Sequence, residues 1–598
     1  MDENSYFEAL REKWERKWPR SLPKEPIYPY GQIPIFEYLR RRSRSHPERT
    51  AIIYYGSKLS YGLLDELSER FAFFLTKQGL GKGDVVAVQL PNCPQLLISY
   101  FGVLKAGCVC ALINPWVGRS GTEYMLGEVK PKIVVCADSI YPIVSQSSQK
   151  IDGVEHIVTT SLSDFAAEPD EKAPPEVKSK PKQAGGLSLI SLLEESKGSV
   201  NVEVSLDDDA LIIFTGGSYG VPRACLHTHW NILFKTAVAC TYSPSGLIVA
   251  LYGNRQLDAE TLMKHTERGV YLGVMPAFWV AGKLACVDAP IFAGGTVVLM
   301  VKWDPEYALY AIDKYKVTST FLEFSLYEDL LRHPKLGRYN LRSLRSCIGS
   351  SIRTYLTARL RGEWFNITKT VLCESSYGLT ETHTIDTVAG GFHREDFDLK
   401  QAEKHGGVFC GIPVPGTLIK IVDPKTGELL PLGEVGEIVI KSPSLAKGYL
   451  KRPDETRKKF VKGWLRTGDL GKYDEDGFLY FMGRIRDVEE FEFHPIEVER
   501  RMLGHPAVGA AKALTLTHPE RGSILTLVIE PKREYREKLS EKEIEDWCSR
   551  NLPSPLLPCL VLIKDELPTT GSGKTDVEKL RREAEELLRE KLSKPAST

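Results

Sequence analysis

The sequence has no excess of charge of one sign and no long apolar run. Among its 598 residues, 78 are basic and 78 are acidic, so the overall charge gives no reason to expect nucleic acid as a partner. No apolar stretch is long enough to cross a bilayer, so we expect no transmembrane segment. Residues 1–18 lack the apolar core of a secretory signal, and the final PAST is no peroxisomal address. These absences predict a cytoplasmic protein.

Cysteines are few and widely scattered. The chain has 12 of them, from Cys93 to Cys559, and none forms a CxxC pair. The spacing of Cys108 and Cys110 suits neither a zinc site nor a redox motif. We therefore expect reduced, buried thiols.

Short β-rich segments alternate with helical ones from about residue 50. Runs such as VVAVQL, KIVVCA and TVVLM, separated by helical stretches, predict an α/β fold with largely parallel strands. From about residue 416, LIKIVD and EVGEIVIKS with their intervening turns predict a β subdomain that is more antiparallel. We expect a large N-terminal domain, residues 1–485, of stacked α/β subdomains plus this β subdomain. A small C-terminal α+β domain, residues 486–598, is expected to follow.

An amphipathic helix is predicted at the N-terminus. Tyr6, Phe7, Leu10, Trp14 and Trp18 recur at helical spacing and mark one apolar face. Because acidic residues are mixed among the basic ones, we expect this face to dock on the protein rather than on a membrane.

The stretch FTGGSYGVPRACLHTHW, residues 214–230, combines parts that suit phosphate binding. It follows the strand-like run ALIIF, so its glycines would let backbone N–H groups approach a ligand closely. Hydroxyl groups and one fixed positive charge add further donors. The residues predicted to form this cradle are Thr215, Gly216, Gly217, Ser218, Gly220, Arg223 and Thr228. A glycine-rich turn without a ligand is the alternative.

Two later stretches carry side chains that suit the rest of a nucleotide. In ESSYGLTETHT, residues 374–384, Tyr377 offers a flat face for a base, and Glu381 beside Thr380 could hold magnesium. In GWLRTGDLGKYDEDGFLYFMGR, residues 463–484, Asp469 could accept the hydroxyls of a ribose, with Arg484 in reach of the same region. A solvent-exposed turn and an ordinary hairpin are the respective alternatives.

The stretch LPTTGSGKTDVEKL, residues 567–580, resembles a Walker loop at first sight. That motif needs a glycine at position 568, which is proline here, so we reject it. Lys574 remains, next to Gly571 and Gly573, at the start of a helix. A long cationic side chain on a hinge suits the bridging of two anions that must react.

These four stretches, in this order and spacing, resemble the adenylate-forming superfamily, and most closely its AMP-forming fatty-acyl-CoA synthetases. The likeness runs from about residue 35 to 580. It includes VLKAGCVCALINP (103–115), GEVGEIVIKSPSLAKGYLKRPDET (433–456) and WLRTGDL (464–470). The resemblance implies that a carboxylic acid, expected to be a medium- or long-chain fatty acid, reacts with ATP and Mg²⁺ to give an acyl-adenylate. Coenzyme A then displaces AMP. A homodimer is also compatible with it.

The resemblance also implies roles for individual residues. Lys574 would bridge the carboxylate and the α-phosphate, Glu381 would hold magnesium, and the small domain would be mobile about a hinge near residue 486. The adenine side would comprise Gly349, Ser350, Ser351, Ser376, Tyr377 and Gly378, with Thr380 near the α-phosphate and Asp469 and Arg484 at the ribose. The motif MPAFWVAG would bring Phe278, Trp279, Val280 and Gly282 to the acyl pocket.

The sequence departs from the family pattern at several of these positions. The departures are Tyr219, Ala224, Ser350, Trp279 and Glu490, together with a shortened acidic loop after residue 485. Two alternatives therefore stay open. One is an adenylating enzyme that passes its acyl group to an acceptor other than coenzyme A. The other is a non-catalytic paralogue that binds ligand or scaffolds a complex.

Overall fold

The computed structural model describes most of the chain. The described residues are 2–18, 22–179, 185–216, 221–242, 257–392, 394–485, 495–518, 522–570 and 574–593. Gly217, Ser218, Tyr219 and Gly220 of the predicted phosphate cradle lie outside these ranges. So do the predicted hinge near residue 486 and the shortened loop with Glu490.

The strands fall into α/β and antiparallel groups. In chain order they are β1 (Thr50–Tyr54), β2 (Ser57–Ser60), β3 (Val85–Gln89), β4 (Val109–Leu112), β5 (Ile133–Ala137), β6 (His156–Thr160), β7 (Leu187–Ser188), β8 (Asp209–Phe214), β9 (Ala224–Thr228), β10 (Val270–Gly273), β11 (Thr296–Leu299), β12 (Ser319–Glu323), β13 (Ser346–Ser350), β14 (Leu372–Glu374), β15 (Thr387–Val388), β16 (Val408–Pro413), β17 (Leu418–Val422), β18 (Gly436–Lys441), β19 (Gly448–Tyr449), β20 (Phe460–Val461), β21 (Trp464–Tyr473), β22 (Leu479–Arg484), β23 (Val508–His518), β24 (Gly522–Pro531) and β25 (Leu560–Ile563).

Helices connect and cover these strands. In chain order they are α1 (Glu3–Lys17), α2 (Ile35–Ser45), α3 (Tyr61–Lys77), α4 (Pro94–Lys105), α5 (Gly118–Val129), α6 (Tyr141–Ser148), α7 (Pro175–Lys178), α8 (Leu189–Glu195), α9 (His229–Tyr242), α10 (Ala259–Thr266), α11 (Val280–Lys283), α12 (Ala289–Ala293), α13 (Pro305–Tyr315), α14 (Phe324–Arg332), α15 (Ala358–Thr368), α16 (Phe397–His405), α17 (Pro453–Lys459), α18 (Pro495–Met502), α19 (Glu541–Asn551) and α20 (Val577–Ser593). A π-helical turn, Leu284–Asp288, joins α11 to α12. Of the helices in the described ranges, none combines the length and the apolar composition that crossing a membrane requires.

Two sheets built mainly from parallel strands form the larger part of the molecule. One has the strand order β19-β9-β8-β4-β3-β5-β6-β7, and the other has the order β14-β13-β12-β10-β11-β1-β2. Their central strands are buried along their length, as in the run IVVCA of β5. One continuous hydrophobic cluster includes residues of both sheets and of the helices between them. This arrangement confirms the predicted α/β fold.

An antiparallel sheet and a small C-terminal unit complete the fold. The sheet β15-β16-β22-β21-β18-β17 pairs its strands in antiparallel fashion, as the turns of the sequence predicted. The C-terminal segment forms the sheet β23-β24-β25 with α18, α19 and α20. Its hydrophobic clusters contain residues 498–588 alone. Every cysteine except Cys559 is buried, and all of them are free thiols.

Helix α1 docks on the antiparallel sheet. Tyr6, Phe7 and Leu10 are buried, and Leu10 packs in one cluster with Ile419 and Ile438. Trp14 fixes the far end of the helix, because its Nε1 donates to the carbonyl oxygen of residue 477 at 2.8 Å. The predicted apolar face therefore covers the protein itself.

Replacing Leu10 by Ala should destabilise this docking. The side chain is fully buried, and a buried Leu→Ala change typically costs about 2–5 kcal/mol because it leaves a cavity. Denaturant unfolding followed by tryptophan fluorescence measures the change. The exposed neighbour Glu8→Ala is the matched control and should leave the transition in place. Equal stability of Leu10→Ala and the native chain would contradict the docking.

Candidate active site

The predicted stretches converge on one cavity of about 1020 Å³. It opens where β8, β13 and β14 end, which is where ligands bind in parallel sheets. The predicted residues that line it are Thr215, Gly216, Arg223, Trp279, Val280, Ser350, Ser351, Ser376, Tyr377, Gly378, Thr380, Glu381, Asp469, Arg484 and Lys574. Segments more than 350 residues apart along the chain thus share one wall.

Two predicted residues lie behind this wall. Thr228 is buried and forms a reciprocal pair with Asn231, whose Oδ1 accepts from the Thr228 N–H at 2.9 Å. The Thr228 hydroxyl in turn accepts from the Asn231 N–H at 3.3 Å. This is a capping contact at the start of α9. Phe278 is buried, with its ring in an edge contact with Trp116 at 5.6 Å.

Two predicted glycines serve packing rather than ligand contact. A Cβ on Gly349 would lie 2.0 Å from the ring of Phe324, and a Cβ on Gly282 would lie 2.0 Å from the carbonyl oxygen of Pro276. Neither residue lines the cavity. Both positions therefore require glycine because another part of the protein packs closely against them.

A buried carboxylate stands at the predicted ribose end. Asp469 and Arg484 face each other across β21 and β22, and the Arg484 guanidinium lies 2.8 Å from Asp469 Oδ1. The Tyr377 hydroxyl donates to Oδ2 at 2.7 Å, and the Tyr377 ring stacks on Phe481 with centroids 6.0 Å apart. Burial raises the pKa of Asp469, while Arg484 and the Tyr377 hydrogen bond oppose the rise. The result is an oriented acceptor for hydroxyl groups.

Glu381 is presented on the short 3₁₀ turn Thr380–Thr382. The Tyr449 hydroxyl donates to its Oε1 at 2.7 Å, and its carbonyl oxygen accepts from the Ala446 N–H at 2.8 Å. Among the described residues, no group of three or more His, Cys, Asp or Glu side chains could enclose a metal ion. Mg²⁺ needs no such enclosure, because it binds through one or two carboxylates plus phosphate oxygens. Glu381 fits that role.

The turn behind Glu381 is held in an unusual backbone conformation. His383, Thr384 and Ile385 have φ of 58°, 62° and 43°, all in the left-handed region that non-glycine residues rarely occupy. A buried ion pair stabilises it, with Lys235 Nζ 2.7 Å from Asp386 Oδ1 and both side chains fully enclosed. Three adjacent strained residues at a site indicate that the position of the Thr380–Thr382 turn is fixed by its surroundings.

Lys574 reaches the cavity from the C-terminal unit. Its carbonyl oxygen accepts from the Thr570 N–H at 2.8 Å. Burial lowers the pKa of Lys574, and Arg484 lowers it further, while Asp469 and Glu381 act in the opposite direction. Its ammonium group therefore shares the electrostatic environment of the predicted nucleotide residues.

Polar contacts hold the C-terminal unit against the cavity rim. Arg353 pairs with Glu530 at 2.7 Å. The Tyr355 hydroxyl donates to Glu499 at 3.0 Å, and Glu499 also pairs with Lys512 at 2.9 Å. Glu499 and Lys512 line the cavity together with Lys574.

Arg223 lines the cavity, but its charge is already engaged. Its guanidinium forms an ion pair with Glu455 and lies 5.8 Å from the ring centroid of Tyr449. Glu455 belongs to α17, 232 residues further along the chain. Sequence spacing gives no hint of this pair.

The part of the cavity between α9, the helix of residues 280–293 and the strands β10, β12 and β13 has an uncharged lining, and we call it the tunnel. Ala281, Ala285 and Ala289 line it at intervals of four residues, so they share one helical face. Ser346 and Ser350, the two ends of β13, both line the cavity, so it extends for about 13 Å along that strand. None of the described residues of this inner part is ionisable at neutral pH: Val238, Ala239, Cys240, Tyr242, Thr266, Tyr271, Leu272, Trp279, Val280, Leu284, Thr320, Phe321 and Ile348 line it with the three alanines.

Sequence reasoning missed many residues of the wall, among them Glu374, Tyr449 and Lys459. Glu374 ends β14, and the Ser351 hydroxyl donates to it at 2.6 Å. Burial raises the pKa of Glu374 from 4.5 to about 7. In the sequence, Glu374 is only the first residue of ESSYG, and nothing there indicates that its carboxyl group is buried. Lys459 belongs to the run RKKF, which is typical of a solvated helix face.

The raised pKa of Glu374 predicts a pH-dependent stability. Because the folded state holds this proton more tightly, the contribution to folding is complete below pH 4.5 and is lost as the pH rises through about 7. Glu374→Gln keeps the shape and removes the titration. Relative to the native chain, the variant should gain about 2–3 kcal/mol between pH 5 and pH 8 in denaturant unfolding. Parallel pH profiles of the two proteins would refute the assignment.

Comparison with known proteins places this geometry in a family. The model of the AMP-binding enzyme family matches residues 39–450, and the model of the AMP-binding enzyme C-terminal domain matches residues 497–574. A long-chain-fatty-acid–CoA ligase of Bacillus subtilis is 30% identical over 94% of this chain and 96% of its own length. A feruloyl-CoA synthase of an Amycolatopsis species is 29% identical over 89% of this chain and 96% of its own.

A solved structure supports the same fold. The crystal structure of an anthranilate CoA ligase in complex with anthranoyl-AMP superposes with a TM-score of 0.78 at 21% identity, over 94% of this chain and 99% of that one. The family match over most of the sequence agrees with the cavity, in which carboxylate, aromatic and cationic side chains suited to a nucleotide meet. The chain therefore belongs to the AMP-binding family of adenylate-forming enzymes, whose acid–CoA ligases use ATP, Mg²⁺ and coenzyme A.

Proposed function

We propose that the protein is an ATP-dependent acid–CoA ligase that activates a medium- or long-chain fatty acid. The acid would first form an acyl-adenylate with release of pyrophosphate, and coenzyme A would then take the acyl group with release of AMP. The observation that carries the proposal is the continuity of one cavity. It joins the predicted nucleotide residues Glu381, Asp469 and Lys574 to an uncharged tunnel.

The first step requires one anion to attack another. A carboxylate oxygen of the acid forms a bond to the α-phosphorus of ATP, and the bond from that phosphorus to pyrophosphate breaks. Like charges at this distance repel strongly in a partly buried site, so fixed positive charge must offset them. Lys574 and Arg484 line the cavity where both anions would meet, and bound Mg²⁺, held by Glu381, would neutralise further phosphate charge.

The length and lining of the tunnel favour a fatty acid. The helix of residues 280–293 follows β10 and precedes β11, which are parallel, so it runs from the carboxyl edge of the sheet back to the amino edge. Ala281 therefore lies near the adenylate end and Ala289 about 12 Å further along the tunnel. An uncharged tunnel of this length suits a methylene chain, whose burial is favourable by about 0.8 kcal/mol per CH₂. The named activity of the Bacillus subtilis relative supports the same substrate class.

The second step is assigned to motion of the C-terminal unit. We propose residues 486–598 as the domain that turns away after adenylation and lets the thiol of coenzyme A attack the acyl carbon. The contacts Arg353–Glu530 and Tyr355–Glu499 that hold it are polar and lie at the rim. Such an interface can open without exposing a shared apolar core.

The test of the function is a pyrophosphate-release assay over saturated acids of increasing length, with hydroxycinnamic and benzoic acids beside them, each with and without coenzyme A. We expect release with the longer fatty acids, and acyl-CoA in the presence of coenzyme A. Preference for the aromatic acids would refute the substrate class. Release without acyl-CoA would refute coenzyme A as the acceptor, and no release with any acid would refute the function.

Lys574→Ala should lower acid-dependent pyrophosphate release by about 10²–10³-fold, because it removes a positive charge from the meeting point of two anions. Lys579→Ala is the matched control. That lysine is one turn into α20, its side chain is 55% exposed, and it lies 3.9 Å from Glu583. The control should keep native rates. Native rates in Lys574→Ala would show that this ammonium group takes no part in adenylation.

Ala289→Phe should shorten the longest acid that the enzyme accepts. The larger ring would fill the tunnel at its distal part, so kcat/KM should fall with the longest acids and stay near the native value with the shortest. Ala289→Ser, which keeps the space, is the control. A uniform loss over all chain lengths would contradict the proposed course of the acyl chain.

A further inference from the structure

Lys459, the last residue of α17, brings its ammonium group into the cavity. Its Nζ lies 3.0 Å from the position that a Cβ on Gly468 would occupy. Gly468 has a φ of +77° and directly precedes Asp469. The ammonium group therefore rests against the backbone of β21 next to the predicted ribose carboxylate.

No carboxylate neutralises Lys459 at close range. In the part of the chain that the structure describes, no acidic group lies within ion-pair distance of its nitrogen. Glu437 is the acidic residue that acts on it most strongly, but its carboxylate is already used. It accepts from Arg466 Nε at 2.8 Å and from the Gly468 N–H at 3.0 Å.

The surroundings of Lys459 make this charge unfavourable until an anion arrives. Burial lowers the pKa of Lys459, and Arg484 lowers it too, while Glu437, Glu381 and Asp469 hold it up. A partly buried cation without a partner keeps a desolvation cost that a bound anion would offset. Glu381 and Asp469, the predicted magnesium and ribose residues, bracket the region in which that anion would lie.

The cation that the phosphate loop itself supplies is not available in this way. Arg223 is paired with Glu455, and Glu455 also pairs with Arg452 at 2.9 Å. Glu455 precedes Lys459 by four residues, so both stand on one face of α17. The short helix α17 thus neutralises the Arg223 of the loop through Glu455 and supplies Lys459 to the cavity.

Lys459 is also attached to the large domain rather than to the C-terminal unit. It directly precedes β20, whose Phe460 pairs with Leu465 of β21. Lys574, in contrast, comes from the C-terminal unit. A cation on the large domain can hold the nucleotide whichever way the C-terminal unit is turned.

We infer that Lys459 binds the phosphates of the nucleoside triphosphate, in place of the loop residue Arg223. The inference rests on the proposed function, because it takes ATP as the ligand. The recognised chemistry is the anionic phosphate chain, so adenosine, which has none, should not depend on Lys459. Lys459 is thereby a nucleotide-binding residue of the large domain.

Calorimetric titration of Mg·ATP and of adenosine tests this without knowledge of the acid. Lys459→Ala should weaken ATP binding by about tenfold or more and leave adenosine binding unchanged, since a hydrogen bond to a charged group is lost. Lys459→Arg, which restores the charge, should recover part of the affinity. Arg223→Ala should weaken ATP binding less than Lys459→Ala. Lys441→Ala, an exposed lysine at the end of β18, is the matched control and should bind as the native chain does.

Each outcome decides one question. If the native chain binds ATP and Lys459→Ala binds it equally well, the inference is overturned and the proposed function stands. Loss of ATP affinity in Arg223→Ala but not in Lys459→Ala overturns it as well, because the loop cation then holds the phosphates. Equal weakening for ATP and adenosine, with a lowered unfolding temperature, assigns Lys459 a structural role only. If the native chain binds neither ligand, both the inference and the proposed function fail.

Discussion

Lys459 and Lys574, which have no close counter-ion among the described residues, line one cavity beside Arg484, and this arrangement constrains the structure around it. Lys459 and Lys574 both have their pKa lowered by burial and by the guanidinium of Arg484. These three cations repel one another, so the surrounding chain must hold each of them in position. Asp469 pairs with Arg484 directly, whereas the two lysines are balanced at longer range by Glu381 and Asp469. The cavity is therefore electrostatically suited to a polyanion.

The acidic partners of these cations must be held as firmly as the cations themselves. Glu381 is presented by a turn whose next residues are strained, and the enclosed pair Lys235–Asp386 stabilises that turn. Asp469 accepts a hydrogen bond from the Tyr377 hydroxyl of the neighbouring loop. A mobile carboxylate could swing onto a free lysine and cancel the charge that the substrate needs. Under the proposed reaction, rigid acidic groups would prevent that collapse, and the strained backbone would serve catalysis by holding Glu381 in place.

The sequence predicts those parts of this arrangement whose signals are local. Strand alternation predicts the α/β fold, and the order of the ligand stretches predicts that Tyr377, Glu381, Asp469 and Lys574 belong together. Pairing between residues that lie far apart along the chain has no such signal. In the sequence, Arg223 has the features of a phosphate ligand, and only the structure shows that Glu455 of α17 pairs with it. Lys459 appears in the sequence as one more charge of a solvated RKK run, and only the structure shows that it lines the cavity.

Glycines show the same limit of sequence reasoning, because the sequence does not reveal which group comes close to a glycine. The resemblance assigned Gly349 to the adenine side and Gly282 to the acyl pocket, but each instead leaves room for a protein group, the ring of Phe324 or the carbonyl of Pro276. Sequence shows that space is needed at such a position, but only packing shows what fills it. For the same reason the alanine face of the tunnel could not be recognised, because alanines at helical spacing equally suit close helix packing.

The division of hydrophobic cores accounts for how one cavity could serve two reactions. Within the described residues, no buried cluster mixes side chains from before residue 485 with side chains from after residue 495. The described residues of the tunnel and Lys459 belong wholly to the first set, and Lys574 belongs to the second. Under the proposed two-step reaction, the C-terminal unit can leave by breaking rim contacts such as Arg353–Glu530, while the large domain keeps both the acyl chain and the nucleotide phosphate. The adenylate would then stay in place as the lysine that helped to form it withdraws, and the acyl carbon becomes accessible to a thiol.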